Sequence, residues 1–262
     1  MAFVQIDKKK LYYKEYGRGM PLLLIAGLGS DSASWLPVII NLSKHFRVIT
    51  IDNCGVGQSI QDNSNITIDD MAVDTAALIQ SLSLKKANIL GHSMGGMIAM
   101  KLAVDFPNLV DNIILVATSP VVNKRNISLF NDMVRFLDSG MDKRLWFRNL
   151  FYWIFSPKFF DDEDFVDQSI NMAMNYRFPQ TDSSFANQVD AIVKFDFSAQ
   201  VKEIEQPTLV MFGDCDLLFP KSETEPILNS IPGVRKITIP NAAHSIHMDN
   251  PEEFVNVVVK FI

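Results

Sequence analysis

The chain has 262 residues, and α/β domains of about 250 residues are common. With 48% hydrophobic and 21% charged residues, its composition is that of a globular protein and excludes a disordered or fibrous chain. The formal net charge is −6 and the basic residues form a run only at positions 8–10, so we predict no nucleic-acid partner.

The sequence carries no signal for membrane insertion or secretion. No apolar run approaches the roughly 18 residues that a spanning helix needs, and the first residues lack the apolar core of a signal peptide. Its two cysteines form neither a disulfide framework nor a metal-binding spacing. We therefore expect a cytoplasmic protein without a membrane span.

Short apolar runs separated by polar turns predict the strands of a sheet. The first residues alternate loosely and break at Gly17-Arg18-Gly19, which predicts a hairpin of Val4–Ile6 and Leu11–Tyr16. The later runs each end in a glycine, an acid, a proline or a polar turn: Leu22–Ala26, Val48–Ile51, Asn88–Leu90, Ile113–Val116, Thr208–Phe212 and Arg235–Ile239. Continuous apolar runs of this length are typical of strands buried on both faces of a parallel sheet.

Helical patterns lie between these runs, at Ile68–Ser81, Met97–Phe106, Pro226–Ser230 and Pro251–Ile262. Strands that alternate with helices predict an α/β fold, in which helices cover both sides of a mostly parallel sheet.

Residues 121–200 break this alternation, because they contain no clear buried strand. They hold 16 of the 27 aromatic residues in 80 of the 262 positions, which is twice an even share. Ile127, Phe130 and Val134 recur at helical spacing, and Leu145–Phe155 is apolar on nearly every side. We predict a helical insertion that lies over the ends of the strands and has no core of its own. The alternative is a set of ordinary buried helices.

The segment Gly91-His92-Ser93-Met94-Gly95-Gly96 carries the strongest chemical signal, since it follows a predicted strand and precedes a predicted helix. A nucleophilic serine must project from a very tight strand-to-helix turn. Side chains two positions before and after it would collide there, and both positions are glycine. The N-terminus of the following helix offers free N–H groups to a developing oxyanion. Ser93 is therefore the candidate nucleophile.

With this motif, the chain resembles the α/β-hydrolase superfamily, in particular its cap-bearing branch of esterases, lactonases and C–C hydrolases. Outside residues 121–200, further segments match the family's motifs in order. They are Gly27-Leu28-Gly29, similar to the oxyanion-hole loop; residues 52–59, similar to the D-x-R-G-x-G-x-S turn; residues 213–216 with Pro220, similar to the acid-bearing turn; and residues 241–244 with 251–254, similar to the histidine loop and the final helix.

The resemblance implies an α/β-hydrolase fold with a mostly parallel eight-stranded sheet flanked by helices. Residues 1–120 and 201–262 would form the core. Residues 121–200 would form a helical cap, inserted after the sixth strand.

The family's order of serine, acid and histidine implies a catalytic triad of Ser93, Asp216 and His244. His244 would take the serine proton, and the carboxylate would orient the ring and stabilise the imidazolium. Asp214 competes with Asp216 for the acid, since both follow the seventh predicted strand. By resemblance the acid is the residue three after Gly213, and Asp214 is then a turn residue that hydrogen-bonds its own loop.

Three other histidines compete with His244 for the role of base. His45 precedes a strand and is expected at the surface, whereas His92 is expected to pack beside the site. His247, with His244 and Asp249, could imitate a metal site, but no further ligand cluster occurs in the sequence and we predict no metal. His244 is preferred because it directly follows the strand-end loop and lies seven residues before the proline of the final helix, as in the family.

The resemblance also implies that the backbone N–H groups of Leu28 and Met94 form an oxyanion hole. Two positions depart from the family's pattern: Ala26 stands where histidine is usual, and Cys54 where arginine is usual. The first departure leaves the oxyanion loop without its usual side-chain support. We expect no Cys54–Cys215 disulfide, since the fourth and seventh strands lie roughly 19 Å apart in the family's order, against a limit of about 7 Å between bridged Cα atoms.

These residues predict acyl transfer to water through an acyl-enzyme on Ser93, without metal or cofactor. Serine at this position argues against the dehalogenase and epoxide-hydrolase relatives, which carry aspartate there. The aromatic cap predicts a small, largely apolar ester or lactone substrate, bound by residues such as Trp146, Phe147 and Trp153.

Carboxylic-ester hydrolysis is the expected reaction. Enol-lactone or C–C bond hydrolysis, perhydrolysis and acyl transfer use the same triad. A ligand receptor or partner protein with residual hydrolase activity is the alternative of another class.

Overall fold

The computed structural model describes residues 2–6, 8–60 and 66–262, and its framework is an eight-stranded sheet. The strands are β1 (Ala2–Ile6), β2 (Lys9–Tyr16), β3 (Pro21–Ile25), β4 (Arg47–Ile51), β5 (Ala87–His92), β6 (Val110–Val116), β7 (Thr208–Gly213) and β8 (Arg235–Ile239). Their order is β1-β2-β4-β3-β5-β6-β7-β8. The first two strands form the predicted antiparallel hairpin, and β3 to β8 run parallel. The predicted fold class is therefore confirmed.

The helices surround this sheet. In the described part of the chain they are α1 (Leu36–Leu42), α2 (Ile68–Ser81), α3 (Met94–Asp105), α4 (Lys124–Asp138), α5 (Lys143–Ile154), α6 (Glu163–Met174), α7 (Asp182–Lys194), α8 (Lys221–Leu228), α9 (Ile246–Asp249) and α10 (Pro251–Phe261). Two begin earlier than predicted. Helix α3 starts three residues before Met97, because the turn at Ser93 leads straight into it. Helix α8 starts before Pro226, in a polar stretch that has no apolar periodicity.

Alternate residues of each central strand face opposite sides of the sheet. Leu22 and Leu24 of β3 pack in one apolar cluster with α1 and α10, while Leu23 and Ile25 pack in the other with α2 and α3. Because both faces are covered, the strands read as continuous apolar runs. Each fully buried leucine or isoleucine contributes roughly 1.5–3 kcal/mol. The sheet is thus a rigid base for the loops at the carboxyl ends of its strands.

Residues 121–200, here called the cap segment, carry α4 to α7 between β6 and β7. The two ends of the segment meet at a β-bridge between Val121 and Asp196. Most of its buried residues belong to the apolar cluster that covers the α2/α3 side of the sheet. Phe151, Val166 and Ile170 form a small cluster within the segment itself. The segment therefore shares the main core and adds a small one, where the sequence predicted none.

Candidate active site

Ser93 occupies the turn between β5 and α3 in a strained conformation, with φ 54° and ψ −118°. Its N–H donates to the Val116 carbonyl at 2.9 Å, and its carbonyl accepts from Thr118 Oγ1 at 2.7 Å. A Cβ on Gly91 would lie 2.1 Å from the carbonyl oxygen of Gly95. The glycines thus make the turn sterically possible, and the end of β6 holds it in place.

The carboxylate of Asp216 and the ring of His244 meet in a buried hydrogen bond. Asp216 Oδ2 lies 3.1 Å from His244 Nδ1. The other oxygen, Oδ1, accepts from the N–H groups of Leu218 at 2.8 Å and Phe219 at 3.0 Å. Because an ionised carboxylate only accepts, Nδ1 carries the proton and Nε2 keeps its lone pair. His244 and Ser93 line the same cavity.

Asp214, the competing acid, has a different partner. Its Oδ1 accepts from the Ala242 N–H at 3.3 Å, across the loop that leads from β8 to His244. Asp214 therefore braces the histidine loop, and the structure brings Asp216 to the ring.

Asp249 ties the histidine loop to the cap segment. Its carboxylate accepts from the Ala243 N–H at 2.8 Å and from the Ser156 hydroxyl at 3.1 Å. Beside it, the Ser245 N–H donates to the Ile154 carbonyl at the end of α5, at 2.9 Å. Burial raises the pKa of Asp249. These hydrogen bonds assign Asp249 to the support of the histidine loop. In the sequence it could imitate part of a metal site, but we predict no metal there.

Three histidines cluster at the site. The ring centroids of His244 and His247 each lie 4.9 Å from that of His92. His92 Nε2 lies 2.9 Å from the carbonyl oxygen of His244 and, as the N–H donor, holds the backbone of that residue. Burial, reinforced by the neighbouring imidazoles, lowers the pKa of His92 well below its ordinary value. His92 thus packs beside the site, in the place that the sequence predicts.

His247 is buried behind this cluster, with its ring centroid 4.6 Å from that of Trp35. Burial, followed by the nearby His244, lowers the pKa of His247 to about 3. A contact with the backbone of Ser34 raises this pKa. Apart from this contact, neither ring nitrogen of His247 has a hydrogen-bond partner within the described residues. His247 therefore packs as a ring without a carboxylate partner, whereas His244 has such a partner in Asp216.

The loop after β3 passes directly beside Ser93. A Cβ on Gly27 would lie 3.1 Å from the Cβ of Ser93. Leu28, the next residue, and Met94 both line the cavity. Met94 is the first residue of α3, so its N–H has no acceptor within the helix. The two residues expected to supply oxyanion-hole donors therefore flank the serine.

A cavity of about 560 Å³ opens over these residues, a size that suits a small-molecule ligand. One wall is a stripe of α5 at three- and four-residue spacing: Lys143, Trp146, Phe147, Leu150 and Ile154. Trp153 falls outside this stripe and packs against the main core. Of the three cap residues that the sequence proposed for substrate binding, the structure therefore places Trp146 and Phe147 at the cavity and Trp153 away from it.

Asp31 and Tyr176 supply a polar pair to the cavity wall that the sequence did not indicate. The Tyr176 hydroxyl donates to Asp31 Oδ2 at 2.5 Å. Burial and this carboxylate raise the pKa of Tyr176. The pair joins the cap segment to the start of the 3₁₀ turn at Ser32–Trp35, where Asp31 is the N-cap.

Among the described residues, no group of three or more histidines, cysteines or acids could hold a metal ion. No helix in the described part of the chain is long and apolar enough to cross a membrane.

Comparison with known proteins assigns the chain to a family. The model of the alpha/beta hydrolase fold matches residues 20–251. The chain belongs to the α/β-hydrolase family.

Individual relatives of this α/β-hydrolase match it over nearly their whole length. The protein named "Putative carbamate hydrolase RutD" of Agrobacterium fabrum is 27% identical, over 96% of this chain and 98% of its own. Pyrrolizixenacetamide deacetylase of Xenorhabdus hominickii is 24% identical, over 100% and 98%. The crystal structure of the enol-lactonase of Burkholderia xenovorans LB400 superposes with a TM-score of 0.89 over 99% of both chains, at 23% identity, and shares the fold.

The two positions that depart from the family's pattern both have polar contacts in this α/β-hydrolase. The carbonyl of Ala26 accepts from Asn53 Nδ2 at 3.1 Å. Cys54 Sγ lies 3.1 Å from Asp74 Oδ2, and Lys9 Nζ reaches the same oxygen at 2.9 Å. Lys9 of β2 therefore pairs with the buried carboxylate of Asp74, beside the cysteine that stands where arginine is usual. Burial raises the pKa of the Cys54 thiol, and both cysteines are free, as predicted.

Proposed function

We propose that this α/β-hydrolase cleaves carboxylic esters of small, largely apolar substrates through an acyl-enzyme on Ser93. One observation carries the proposal. A serine on a strained turn and a histidine bonded to a buried carboxylate line a single, mainly apolar cavity.

In this mechanism Ser93 Oγ attacks the ester carbonyl while His244 Nε2 takes its proton. Asp216 stabilises the imidazolium, and the N–H groups of Leu28 and Met94 stabilise the oxyanion. His244 then gives the proton to the leaving oxygen, which departs as the alcohol and leaves acyl-Ser93. Water, deprotonated by His244, attacks the acyl-enzyme. The carboxylic acid leaves, and the proton returns to the serine oxygen.

In this proposal the cap segment selects the substrate. Its aromatic side chains at the cavity, such as Trp146 and Phe147, offer apolar surface to an acyl or alcohol group. Each methylene that enters such a surface contributes roughly 0.8 kcal/mol. The value of kcat/KM should therefore rise severalfold with each added carbon until the cavity is full.

Hydrolysis of a C–N bond is the second candidate, because two relatives are named a carbamate hydrolase and a deacetylase of an acetamide. The same residues would act, with His244 protonating a leaving nitrogen in place of an oxygen.

A substrate panel tests the proposal: an alkyl ester and the amide of the same acid, a lactone of similar size and a carbamate, with Ser93→Ala as the blank. We expect the highest kcat/KM for the ester and background rates for the variant. Amide or carbamate cleavage more than tenfold faster than ester cleavage would favour the second candidate. Tight binding with almost no turnover would indicate a ligand receptor.

A further inference from the structure

Gln188 of α7 joins the cap segment to the loop beside Ser93. Its side chain is completely buried. Oε1 accepts from the Gly29 N–H at 3.1 Å and from Gln180 Nε2 at 3.1 Å, while Nε2 donates to the Cys54 carbonyl at 2.8 Å. Both ends of the buried amide are thus hydrogen-bonded, which offsets its desolvation and fixes its position.

The bonds of Gln188 complete the support of the loop at residues 26–30. Asn53 holds the carbonyl of Ala26 at one end, and the Ser30 N–H closes a turn onto the Gly27 carbonyl at 3.2 Å. Gly29 has a positive φ of 70°, a conformation that glycine adopts without strain. The Leu28 peptide lies between these anchors, so its direction depends on both.

We propose that Gln188 is a positioning residue for the oxyanion hole, and that through it the cap segment holds the Leu28 N–H in place. The inference rests on the proposed function. Gln188 is not among the described residues that line the cavity. Its loss should therefore act on the rate through the loop and leave substrate binding intact. Oxyanion stabilisation is realised only in the transition state, so kcat should fall while KM stays nearly constant.

The test compares Gln188→Met with Gln206→Met. Methionine keeps the length of glutamine and removes its hydrogen bonds. Gln206 is a matched control, because it is also buried and its Nε2 donates to a backbone carbonyl, that of Ala103, at 3.1 Å. Deleting an oxyanion donor costs about 10²–10³ in kcat. Because Gln188→Met displaces a donor without deleting it, we expect kcat to fall about tenfold and KM to stay within about twofold of the wild-type value. In Gln206→Met we expect an unchanged kcat.

Binding of an alkyl boronic acid supplies a second readout, since its tetrahedral adduct with Ser93 places an oxygen in the hole. Its affinity should fall by the same factor as kcat in Gln188→Met. Unchanged kcat and boronate affinity in that variant would overturn the inference. Wild-type protein that neither turns over esters nor binds the boronic acid would refute the proposed function instead.

Gln188→Glu covers the case in which the methionine variant does not fold. The glutamate can still accept from the Gly29 N–H, but it can donate to the Cys54 carbonyl only when protonated. We expect its kcat, divided by the wild-type value at each pH, to rise as the pH is lowered. A ratio of one at high pH, where the glutamate is ionised, would overturn the inference.

Discussion

Acid should destabilise the fold through His247, and replacing this residue should remove part of that sensitivity. His247 is 1% exposed, packs on Trp35 and has a pKa lowered to about 3 by burial. Between pH 6.5 and about 3, the unfolded chain binds a proton at this position and the folded protein does not. The stabilisation is therefore complete above pH 6.5 and is lost as the pH falls through this window.

The magnitude follows from the linkage. Each pH unit below the ordinary histidine pKa of about 6.5 costs about 1.4 kcal/mol for one proton. At pH 5 the loss is about 2 kcal/mol, because the folded-state pKa lies well below that pH. This is a sizeable part of the 5–15 kcal/mol that is typical of native proteins.

His247→Phe keeps a ring against Trp35 and removes the titrating group. The assay is urea unfolding of both proteins at pH 7.5 and pH 5. The free energy of unfolding should drop between the two pH values by about 2 kcal/mol less in the variant. Any packing difference already appears at pH 7.5 and cancels, and buried His92 is present in both proteins. Equal pH dependence in the two proteins would show that His247 does not take up a proton on unfolding.

Other substitutions separate the site's roles. In steady-state assays, Asp216→Asn should lower kcat about 10⁴-fold. Asp214→Asn only loosens the histidine loop and should lower kcat far less, so similar losses in kcat would contradict the assignment of Asp216 as the acid. Trp146→Ala should move the acyl-chain length at which kcat/KM is highest and Trp153→Ala should not, with thermal melting as the control. A shift in Trp153→Ala alone would show that Trp146 does not line the substrate cavity. Gly95→Ala should prevent folding or lower Tm by many degrees, because its Cβ would lie 2.1 Å from a β3 carbonyl oxygen; an unchanged melting curve would be incompatible with this turn.

Strands and the serine turn could be predicted because their signals are local. Residues 22–25 and 209–212 are apolar without interruption, and their burial on both faces follows directly. The glycines around Ser93 predict a close approach of the backbone, and the structure explains it: a Cβ at Gly91 or Gly95 would lie only 2.1 Å from a backbone oxygen. The predicted start of α3 was wrong because Gly95 and Gly96 do not favour a helix, although the helix begins at Met94.

The supporting contacts could not be predicted, because each joins residues far apart in the chain. Gln188 meets Gly29 across 159 positions, and Asp249 meets Ser156 across 93. No periodicity or motif marks such pairs. Trp153 shows a further limit: aromatic content identified the cap segment as a candidate cavity wall, but only the rotation of α5 decides which side chains face the cavity.

Intact-protein mass spectrometry tests whether Ser93 is a nucleophile activated by its surroundings. The protein is treated with an alkyl fluorophosphonate, which phosphonylates activated serines, and Ser93→Ala serves as the matched control. We predict one added label on the wild-type protein and none on the variant. A label of equal stoichiometry on Ser93→Ala, or no label on the wild-type protein, would contradict it.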